Sequence, residues 1–371
     1  MIRVLQIGLG SNPGGIENCI MNYYRAIDHT KFQFDFVDIY GKGLVYEDEI
    51  KNLGGKVYHL TSYKKAPQRM AMQLKKIIRE NEYKIIHINM LSAANMIPVL
   101  VSCNYKKAKV IVHSHNSAVP KGWVRKILNK INIYFLRKFP IEKWGCGKKA
   151  GNWMWGKQFK NENIVFNAVD IEKFQKNSFI RNQIKTQCGF LRDDKIIGFV
   201  GRLSEQKNPL FLIDIIKELR NYFSNVKLLI VGDGDLRCKM EEKIENLGLK
   251  NLVYFAGVQK NVNDWYQAMD LFVLPSLFEG LPVVGIEAQA NELPCFISDR
   301  VTTEINLTGT VTYLPIDKGA DIWATAMSNV LTKKQERKII FPKQYQIQYA
   351  IKKLENKYIK LINEVENASK F

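Results

Sequence analysis

The sequence has 371 residues, of which 46% are hydrophobic and 25% are charged. These values are close to average globular usage, and they exclude a disordered chain, a collagen-like repeat and a bare coiled coil. The formal net charge is +19, and residues 51–150 carry most of it, with 21 Lys and Arg against 3 Asp and Glu. A charge this local indicates a surface with a partner and says nothing about the fold.

The six cysteines are scattered without a C-x-x-C pair, which is typical of a reduced compartment and argues against a disulfide framework or a zinc site. The first residues lack the charged start and long apolar core of a signal peptide. The uncharged run from Ile85 to Tyr105 could span a bilayer by length, but polar residues and a proline interrupt it. We interpret it as a buried strand that leads into a helix, and we expect a cytoplasmic protein without a spanning helix.

Short β-branched runs alternate with helical patterns along the chain. In the first half the predicted strands are IRVLQIG, FQFDFVDIY, KVYHL, KIIHINM and KVIVHSH, and in the second half they are KIIGFVG, VKLLIVG, LVYFAG and LFVLP. Strands that alternate with helices indicate βαβ units and parallel sheets. The pattern restarts after about residue 180, beyond a polar segment at 161–179 that we interpret as a hinge.

These elements predict an α/β protein with two Rossmann-like, doubly wound parallel-sheet domains that face a cleft. The expected boundaries are 1–170 for the first domain and 178–344 for the second. Residues 345–371 predict a long amphipathic helix that packs back on the first domain. Ligands of such sheets bind at the carboxyl ends of the strands, so we expect the functional motifs there.

The loop after the first strand is rich in glycine and reads GLGSNPGGIE. Such glycines let the backbone approach a phosphate at the start of the next helix. The spacing is one residue longer than the dinucleotide fingerprint, and Asp38 ends the second strand where an NAD ribose ligand would lie. The loop alone therefore leaves open an NAD-dependent oxidoreductase and a purely structural turn.

Two motifs of the second half predict a site for phosphate and sugar. GRLSEQKN places Arg202 and Lys207 in one loop after a strand, where two cations could hold a diphosphate, although a solvated basic loop is the alternative. Further along, Glu279 opens the segment EGLP before an apolar helix whose first amides could bind an anion. Glu287 lies within that helix and needs a partner, either a pair of sugar hydroxyls or an internal arginine.

Together these motifs resemble the retaining glycosyltransferases of family four, which have the GT-B fold. The resemblance covers nearly the whole chain and includes the pair Glu279 and Glu287, GRLSEQKN, NAVD at 167–170, VGDGD and GGIE. It is strongest to the branch that builds bacterial capsular and exopolysaccharides, in which HSHN at 113–116 ends a central strand. Gln289 departs from the family pattern, because an apolar residue is usual there.

The resemblance implies that the first domain binds an acceptor and the second a nucleotide-sugar. Arg202 and Lys207 would neutralise the diphosphate and stabilise the departing nucleoside diphosphate. Glu279 would contact the transferred sugar, Glu287 would hold the ribose hydroxyls, and His115 would hydrogen-bond the sugar near the reaction centre. The implied backbone contacts are Gly14 and Gly15 at the β-phosphate, Gly280 and Leu281 at the phosphates, and Gly257 and Val258 beside the base.

The implied reaction is a retaining, hexosyl-type transfer in which the leaving phosphate takes the acceptor proton. The expected donor is a UDP-sugar and the expected acceptor is lipid-linked or a saccharide. No metal or other cofactor is expected: Asp233 and Asp235 spell the D-x-D metal motif of another glycosyltransferase fold, but they follow a strand as a turn. A sugar-nucleotide epimerase of the same fold, an NAD-dependent oxidoreductase and a protein that only binds remain as alternatives.

The basic stretch contains two segments, 61–80 and 120–144, that mix cations with Met, Trp, Phe and Tyr at near-helical spacing. Basic helices with aromatic residues are typical of interfacial anchors on anionic lipid. They predict a peripheral protein on the inner face of the cell membrane, and an ordinary solvated face is the alternative. No recognition motif for nucleic acid accompanies the charge, so we expect no nucleic-acid partner.

Overall fold

The computed structural model describes residues 1–116, 122–333 and 340–368. The chain divides into two α/β units. Unit 1 comprises residues 1–168 and the segment that begins at Ile347, and unit 2 comprises Val169–Gln346. Each unit contains a six-stranded sheet in which every described strand pair is parallel, which confirms the predicted fold class. Residues 120–121 of the second basic segment and residues 369–371 of the predicted C-terminal helix lie outside the described residues.

The sheet of unit 1 has the strand order β3-β2-β1-β4-β5-β6. Its strands are β1 Ile2–Ile7, β2 Phe32–Asp38, β3 Val57–His59, β4 Ile85–Met90, β5 Lys109–Ser114 and β6 Glu142–Gly145. The helices between them are α1 Gly15–Ala26, α2 Glu47–Asn52, α3 Pro67–Glu80, α4 Ile97–Cys103, α5 Trp123–Leu136 and α6 Lys148–Trp155. The run predicted as a buried strand followed by a helix forms β4 and α4, and all six residues of β4 are buried.

The sheet of unit 2 has the order β12-β11-β10-β7-β8-β9. Its strands are β7 Lys195–Val200, β8 Val226–Val231, β9 Val253–Gly257, β10 Leu271–Leu274, β11 Cys295–Ser298 and β12 Val311–Leu314. Its helices are α7 Ser178–Gln187, α8 Leu210–Leu219, α9 Arg237–Asn246, α10 Val262–Ala268, α11 Val283–Ala290 and α12 Ala320–Leu331. The sequence pattern did not predict β6 or β12, because each has four residues and carries polar or half-exposed side chains.

The last helix, α13 at Ile347–Ala368, belongs to unit 1 although it follows unit 2 in the chain. Its buried residues recur every three or four positions, as an amphipathic helix requires. They join α1 and residues of β1, β2, β4, β5 and β6 in one hydrophobic core, in which Tyr358 is fully buried. Among the described helices, none combines the length and the apolar character needed to cross a bilayer.

Candidate active site

Three loops at the carboxyl ends of β7, β8 and β9 lie in direct contact in unit 2. The amide of Leu203 donates to the carbonyl oxygen of Asp233 at 3.0 Å, and that of Gly232 donates to Gly257 at 2.7 Å. Gly232 has a φ of +131°, and a Cβ there would lie 2.1 Å from the carbonyl oxygen of Gly201. Glycine at 232 is thus required both for the backbone angle and for the close approach of the two loops. The D-x-D sequence lies in this packed turn.

The β7 loop is also tied to the loop that follows β10. After Gly201 it forms a short 3-10 turn at Glu205–Lys207, which ends at Asn208 in the left-handed conformation with φ of +52°. The side-chain nitrogen of Gln206 donates to the carbonyl oxygen of Phe278 at 3.1 Å. The backbone carbonyl oxygen of Gln206 accepts from the Leu277 amide at 2.8 Å. These bonds place the basic motif beside the EGLP segment, 72 residues further along the chain.

Lys207 and Glu279 form an ion pair across these two loops. Lys207 Nζ lies 2.7 Å from Glu279 Oε1, and the side chains are 16% and 10% exposed. A lysine held this far from water keeps a strong local field, because little solvent screens it. The pair places one of the two predicted phosphate ligands directly against the carboxylate that the resemblance assigns to the transferred sugar.

Glu287 is the buried carboxylate of this site. Burial raises its pKa to about 7, although the hydrogen bond from Tyr266 and the positive charge of Lys207 both oppose the shift. The Tyr266 hydroxyl lies 2.9 Å from Glu287 Oε2 and 3.1 Å from the Val284 carbonyl oxygen. The partner that the sequence required is therefore Tyr266, with Lys207 nearby, and no arginine contacts Glu287 within the described chain.

The other predicted residues of unit 2 surround this pair. Gly280 and Leu281 lie just before α11, and Pro282 is the residue that directly precedes the helix. Arg202 is exposed on the β7 loop. At the end of β9, Gly257 has a φ of +67° and Val258 is 61% exposed. The structure thus brings Lys207, Glu279 and Glu287 together and leaves Arg202 and Val258 on the surface.

The buried Gln289 connects α11 to the segment that follows β11. Its Nε2 donates to the carbonyl oxygens of Gly285 at 2.8 Å and Ile305 at 2.7 Å. Its Oε1 accepts from the amides of Leu307 and Thr308 and from the Thr308 hydroxyl. Every hydrogen-bonding direction of this amide is used, which explains how a polar residue is accommodated at a position that is usually apolar.

In unit 1 the glycine-rich loop folds around Glu17. Gly14 precedes α1 in extended backbone, and Gly15 is the first residue of that helix. Glu17 Oε1 accepts a hydrogen bond from the amide of Gly10 at 2.9 Å. A Cβ at Gly14 would lie 2.7 Å from Glu17 Oε2, so glycine leaves the room that this carboxylate occupies. The loop is organised by its own glutamate.

Asp38 does not present its carboxylate to a ribose. The side chain is fully buried, and its two oxygens accept from the amides of Tyr40, Gly41, Lys42 and Gly43 at 2.8 to 2.9 Å. Four backbone donors use the whole acceptor capacity of a carboxylate. The role proposed for Asp38 in an NAD site is therefore wrong, and with it the main support for an oxidoreductase beyond the glycine loop.

His115 belongs to a cluster of polar side chains on adjacent strands of unit 1. Its Nε2 lies 2.9 Å from Asn89 Oδ1, and its ring centroid is 4.0 Å from that of His113. His113 Nδ1 is 3.3 Å from His87 Nε2, and His87 Nδ1 is 2.8 Å from the Tyr358 hydroxyl on α13. These residues line a cavity of about 20 Å³, which has room for about one water molecule.

Burial keeps all three histidines of this cluster uncharged at neutral pH. Desolvation lowers the pKa of His87 and of His115 to about 3, and that of His113 falls well below its ordinary value. Sequence reasoning found His115 but missed Asn89 and Gln6, which take part in the same cluster. The available signal was a polar residue at alternate positions of otherwise apolar strands, since those positions share one face.

The two basic segments differ in what they expose. In α3 the apolar residues Met70, Leu74 and Ile78 are buried in the core and the cations face solvent, as in an ordinary solvated helix. In α5 the buried residues are Asn129 and Leu136. Ile133 is partly buried against the core, and seven other apolar side chains are 41% to 74% exposed, namely Trp123, Val124, Ile127, Leu128, Ile131, Tyr134 and Phe135.

Polar contacts hold α5 on unit 1. Asn129 Oδ1 accepts from the amide of Ala93 at 2.8 Å, and Asn132 Nδ2 donates to the carbonyl oxygen of the same residue at 2.7 Å.

Across the part of the chain that the structure describes, no cluster of three or more histidine, cysteine, aspartate or glutamate side chains is placed to hold a metal ion.

Comparison with known proteins identifies the family. Residues 180–341 match the family described as glycosyl transferases group 1. The putative glycosyltransferase EpsF of Bacillus subtilis is 31% identical over 336 residues, which is 88% of this chain and 87% of EpsF. The capsular polysaccharide biosynthesis glycosyltransferase CapH of Staphylococcus aureus is 24% identical over 90% of this chain and 92% of its own length.

A solved structure of Anabaena HepE in complex with UDP shares the fold, with a TM-score of 0.71 and 16% identity over the full length of both chains. The resemblance to family four and its GT-B fold is thereby confirmed. With a relative above 30% identity that covers most of both chains, this chain belongs to the glycosyl transferases group 1 family and is a glycosyltransferase with relatives in capsular polysaccharide synthesis.

Proposed function

We propose that the protein is a retaining, metal-independent glycosyltransferase that moves a hexosyl group from a UDP-sugar to a lipid-linked or saccharide acceptor during capsule or exopolysaccharide synthesis. The observation that carries the proposal is the Lys207–Glu279 ion pair beside Glu287, at the carboxyl ends of the strands of unit 2. The capsular role of CapH and the UDP bound to HepE support the role in capsule synthesis and the nucleotide.

Lys207 supplies the charge that the reaction needs. When the bond from the sugar to the diphosphate breaks, negative charge develops on the departing phosphate, and a fixed cation in a site that excludes water stabilises it. Lys207 is 16% exposed and is already oriented by Glu279 at 2.7 Å. Arg202, on the same loop, adds a second cation at the surface, where its forked guanidinium can reach phosphate oxygens. In our proposal these two side chains take the place of a metal ion.

In our proposal Glu279 and Glu287 accept hydrogen bonds from hydroxyl groups of the donor, and neither acts as an acid or a base in the reaction. Once a diphosphate engages Lys207, Glu279 can accept hydrogen bonds from the transferred sugar. Glu287 accepts from the ribose hydroxyls, while Tyr266 fixes one of its oxygens at 2.9 Å. The amides of Gly280 and Leu281 ahead of α11, and Gly257 and Val258 after β9, complete the donor contacts that we propose for the phosphates and the base.

Unit 1 is proposed to bind the acceptor and to place His115 against the transferred sugar, with Gly14 and Gly15 near the β-phosphate. Its α5 helix is proposed to rest on the anionic inner face of the membrane. Seven apolar side chains of α5 are exposed, and Arg125, Lys126 and Lys130 are exposed on the same helix. This combination suits an interfacial helix on acidic lipid, where a lipid-linked acceptor is found.

The donor proposal is tested by thermal unfolding with UDP, GDP, ADP and NAD, each with and without EDTA. A ligand that binds the folded state raises the melting temperature with its concentration. We expect stabilisation by UDP that persists in EDTA and is lost in Lys207→Ala, but is retained in Lys217→Ala, a lysine on α8 outside the loop. Stabilisation by NAD alone, or by UDP only before EDTA is added, would contradict the proposal.

Product analysis then separates transfer from its alternative. A transferase releases UDP and lengthens an acceptor, whereas an epimerase returns an altered nucleotide-sugar and needs no acceptor. Retention is read from the anomeric configuration of the product by NMR. An inverted linkage would reject the retaining mechanism while leaving the donor site intact.

The membrane proposal is tested with vesicles that contain either neutral lipid alone or added phosphatidylglycerol. We expect sedimentation with the acidic vesicles only, and loss of binding in the double variant Trp123→Glu, Ile127→Glu. The control replaces Lys75 and Lys76 of α3 by glutamate, which makes a larger change in charge but leaves the exposed apolar face unaltered. Equal loss in both variants would show that charge alone, without α5, explains the binding.

A further inference from the structure

We propose that Asn89 is a positioning residue that fixes the proton of His115 on Nε2, so that His115 offers its unprotonated Nδ1 as a hydrogen-bond acceptor to a hydroxyl of the transferred sugar. The second half of this statement rests on the role of His115 in the proposed function. The first half, the fixed tautomer, concerns the protein alone.

The argument begins at a backbone carbonyl of β1. Asn89 Nδ2 lies 3.3 Å from the carbonyl oxygen of Ile7 and 3.1 Å from Gln6 Oε1. A carbonyl oxygen can only accept, so the nitrogen of the Asn89 amide must face it and the oxygen must point the other way. That oxygen, Oδ1, is the atom 2.9 Å from His115 Nε2. An amide oxygen can only accept, so His115 Nε2 carries the proton.

The backbone makes this orientation rigid. Gly8 has a φ of +119°, and a Cβ there would lie 2.2 Å from the carbonyl oxygen of Asn89. The end of β1 therefore lies directly against β4 at this residue. Asn89 itself is 5% exposed and Gln6 is 2% exposed. A reversed amide would place two oxygens together away from water, which is costly because neither could be solvated.

Gln6 and Tyr358 support the amide from the other side. Gln6 Oε1 accepts from Asn89, and Gln6 Nε2 donates to the Tyr358 hydroxyl at 3.4 Å. The Tyr358 hydroxyl also lies 2.8 Å from His87 Nδ1. From Tyr358 through Gln6 and Asn89 to His115, each acceptor faces a donor, so one orientation of the two amides satisfies this series.

The fixed tautomer determines whether His115 can donate or accept a hydrogen bond from a ligand. A neutral imidazole has one donor nitrogen and one acceptor nitrogen, and the donor of His115 is already used by Asn89. Nδ1 can therefore accept a hydrogen bond from a hydroxyl group. An ionised phosphate oxygen has no proton to donate, so its lone pair would repel the lone pair of Nδ1. The fixed tautomer makes His115 select for a sugar hydroxyl and against a phosphate.

Side-chain ¹⁵N–¹H correlation spectra test the tautomer without any activity. The protein has five histidines, and His115→Gln assigns the signal. We expect a single neutral Nε2–H form for His115, which becomes a mixture of two tautomers in Asn89→Leu. Asn246→Leu, on an exposed helix of unit 2, is the control and should leave the spectrum unchanged.

The wild-type spectrum decides the first half even if the variants fail to fold. An Nδ1–H form, or two forms in exchange, would overturn the proposal. If the protein proves not to transfer sugar, the tautomer result still stands, so failure of the proposed function is distinguishable from failure of this inference.

Analogues of the nucleotide-sugar test whether His115 accepts a hydrogen bond. The analogues are made from the nucleotide-sugar that supports turnover. Each hydroxyl is replaced in turn by hydrogen or by fluorine, which cannot donate a hydrogen bond. At one position we expect both replacements to lower kcat/KM about tenfold more in wild type than in His115→Ala. Taking the ratio to His115→Ala removes the effect of fluorine on the chemistry itself. If fluorine restores the rate that hydrogen loses, His115 is a donor and the inference is wrong.

Discussion

The two units have the same architecture but opposite chemistry at their functional residues. The cluster of unit 1 is neutral: three histidines with lowered pKa values, two amides and a tyrosine, all connected by hydrogen bonds. The cluster of unit 2 is ionic: the Lys207–Glu279 pair beside a carboxylate whose pKa is about 7. A neutral cluster selects a ligand by the direction of its hydrogen bonds, and an ionic cluster selects a ligand by its charge.

The position in the fold explains the difference. The residues Gln6, His87, Asn89 and His113 lie on strands and are at most 5% exposed, where an ionised group would lose its hydration. Lys207 and Glu279 lie in loops at strand ends, where each is the counter-ion of the other, so both stay charged although little water reaches them. The same fold thus supplies a dry, uncharged cluster in unit 1 and a charged loop in unit 2, which our proposal assigns to the sugar and to the diphosphate.

The largest expected effect comes from removing the cation of unit 2. Lys207→Ala should lower kcat/KM by about 10³-fold, because the developing phosphate charge loses its partner and Glu279 is left without a counter-ion. Initial rates of UDP release measure the effect. Lys217→Ala should retain normal rates, and a loss below tenfold in Lys207→Ala would show that charge at this residue does not carry the reaction.

The neutral cluster should respond differently. We expect His115→Ala to lower kcat about 10²-fold while the affinity for UDP alone is unchanged, since His115 is not among the residues that we propose to contact the base, the ribose or the phosphates. Rates and calorimetric titration with UDP measure the two quantities. The effect should be the same at low and high salt, unlike that of Lys207→Ala. His59→Ala, an exposed histidine, is the control; a salt-dependent defect in His115→Ala would contradict the neutral assignment.

A third substitution tests a neutral amide within unit 2. Gln289→Leu should lower the free energy of unfolding by about 2 kcal/mol, because the amides of Leu307 and Thr308 and the Ile305 carbonyl lose their partner. Urea unfolding measures the change, with Gln183→Leu on the exposed side of α7 as the control. An unchanged or raised stability would show that these groups find other partners.

The smallest effect is a pH dependence of UDP binding. Glu287 must be ionised to accept two ribose hydroxyls, and its pKa is about 7, so affinity should fall about tenfold from pH 8 to pH 6. The free protein should show the opposite trend: a pKa above its ordinary value means that this group lowers stability as pH rises toward 7. Calorimetry on wild type and Glu287→Gln measures both, and the variant should lose this part of the pH dependence.

The sequence was sufficient for most of the strands and for the parallel sheets, because these depend on local patterns, and the resemblance supplied the association of two glutamates with a basic loop. It could not show that Lys207 pairs with Glu279, since 72 residues separate them and the contact depends on neighbouring β7 and β10. Asn89 was missed for the same reason: its role depends on the register of β4 against β1. The helices α3 and α5 both mix cations with apolar residues, and tertiary packing decides which apolar face is covered.

The position of α13 in the chain has a consequence for synthesis. Translation completes β1 through α6 first, then all of unit 2, and α13 last, yet Tyr358 and its neighbours are part of the core of unit 1. The apolar surface that α13 covers therefore stays open while unit 2 emerges from the ribosome, a period in which such surfaces attract chaperones or aggregate. Most of unit 1 is therefore synthesised before unit 2, but its core is completed only after unit 2 has been made.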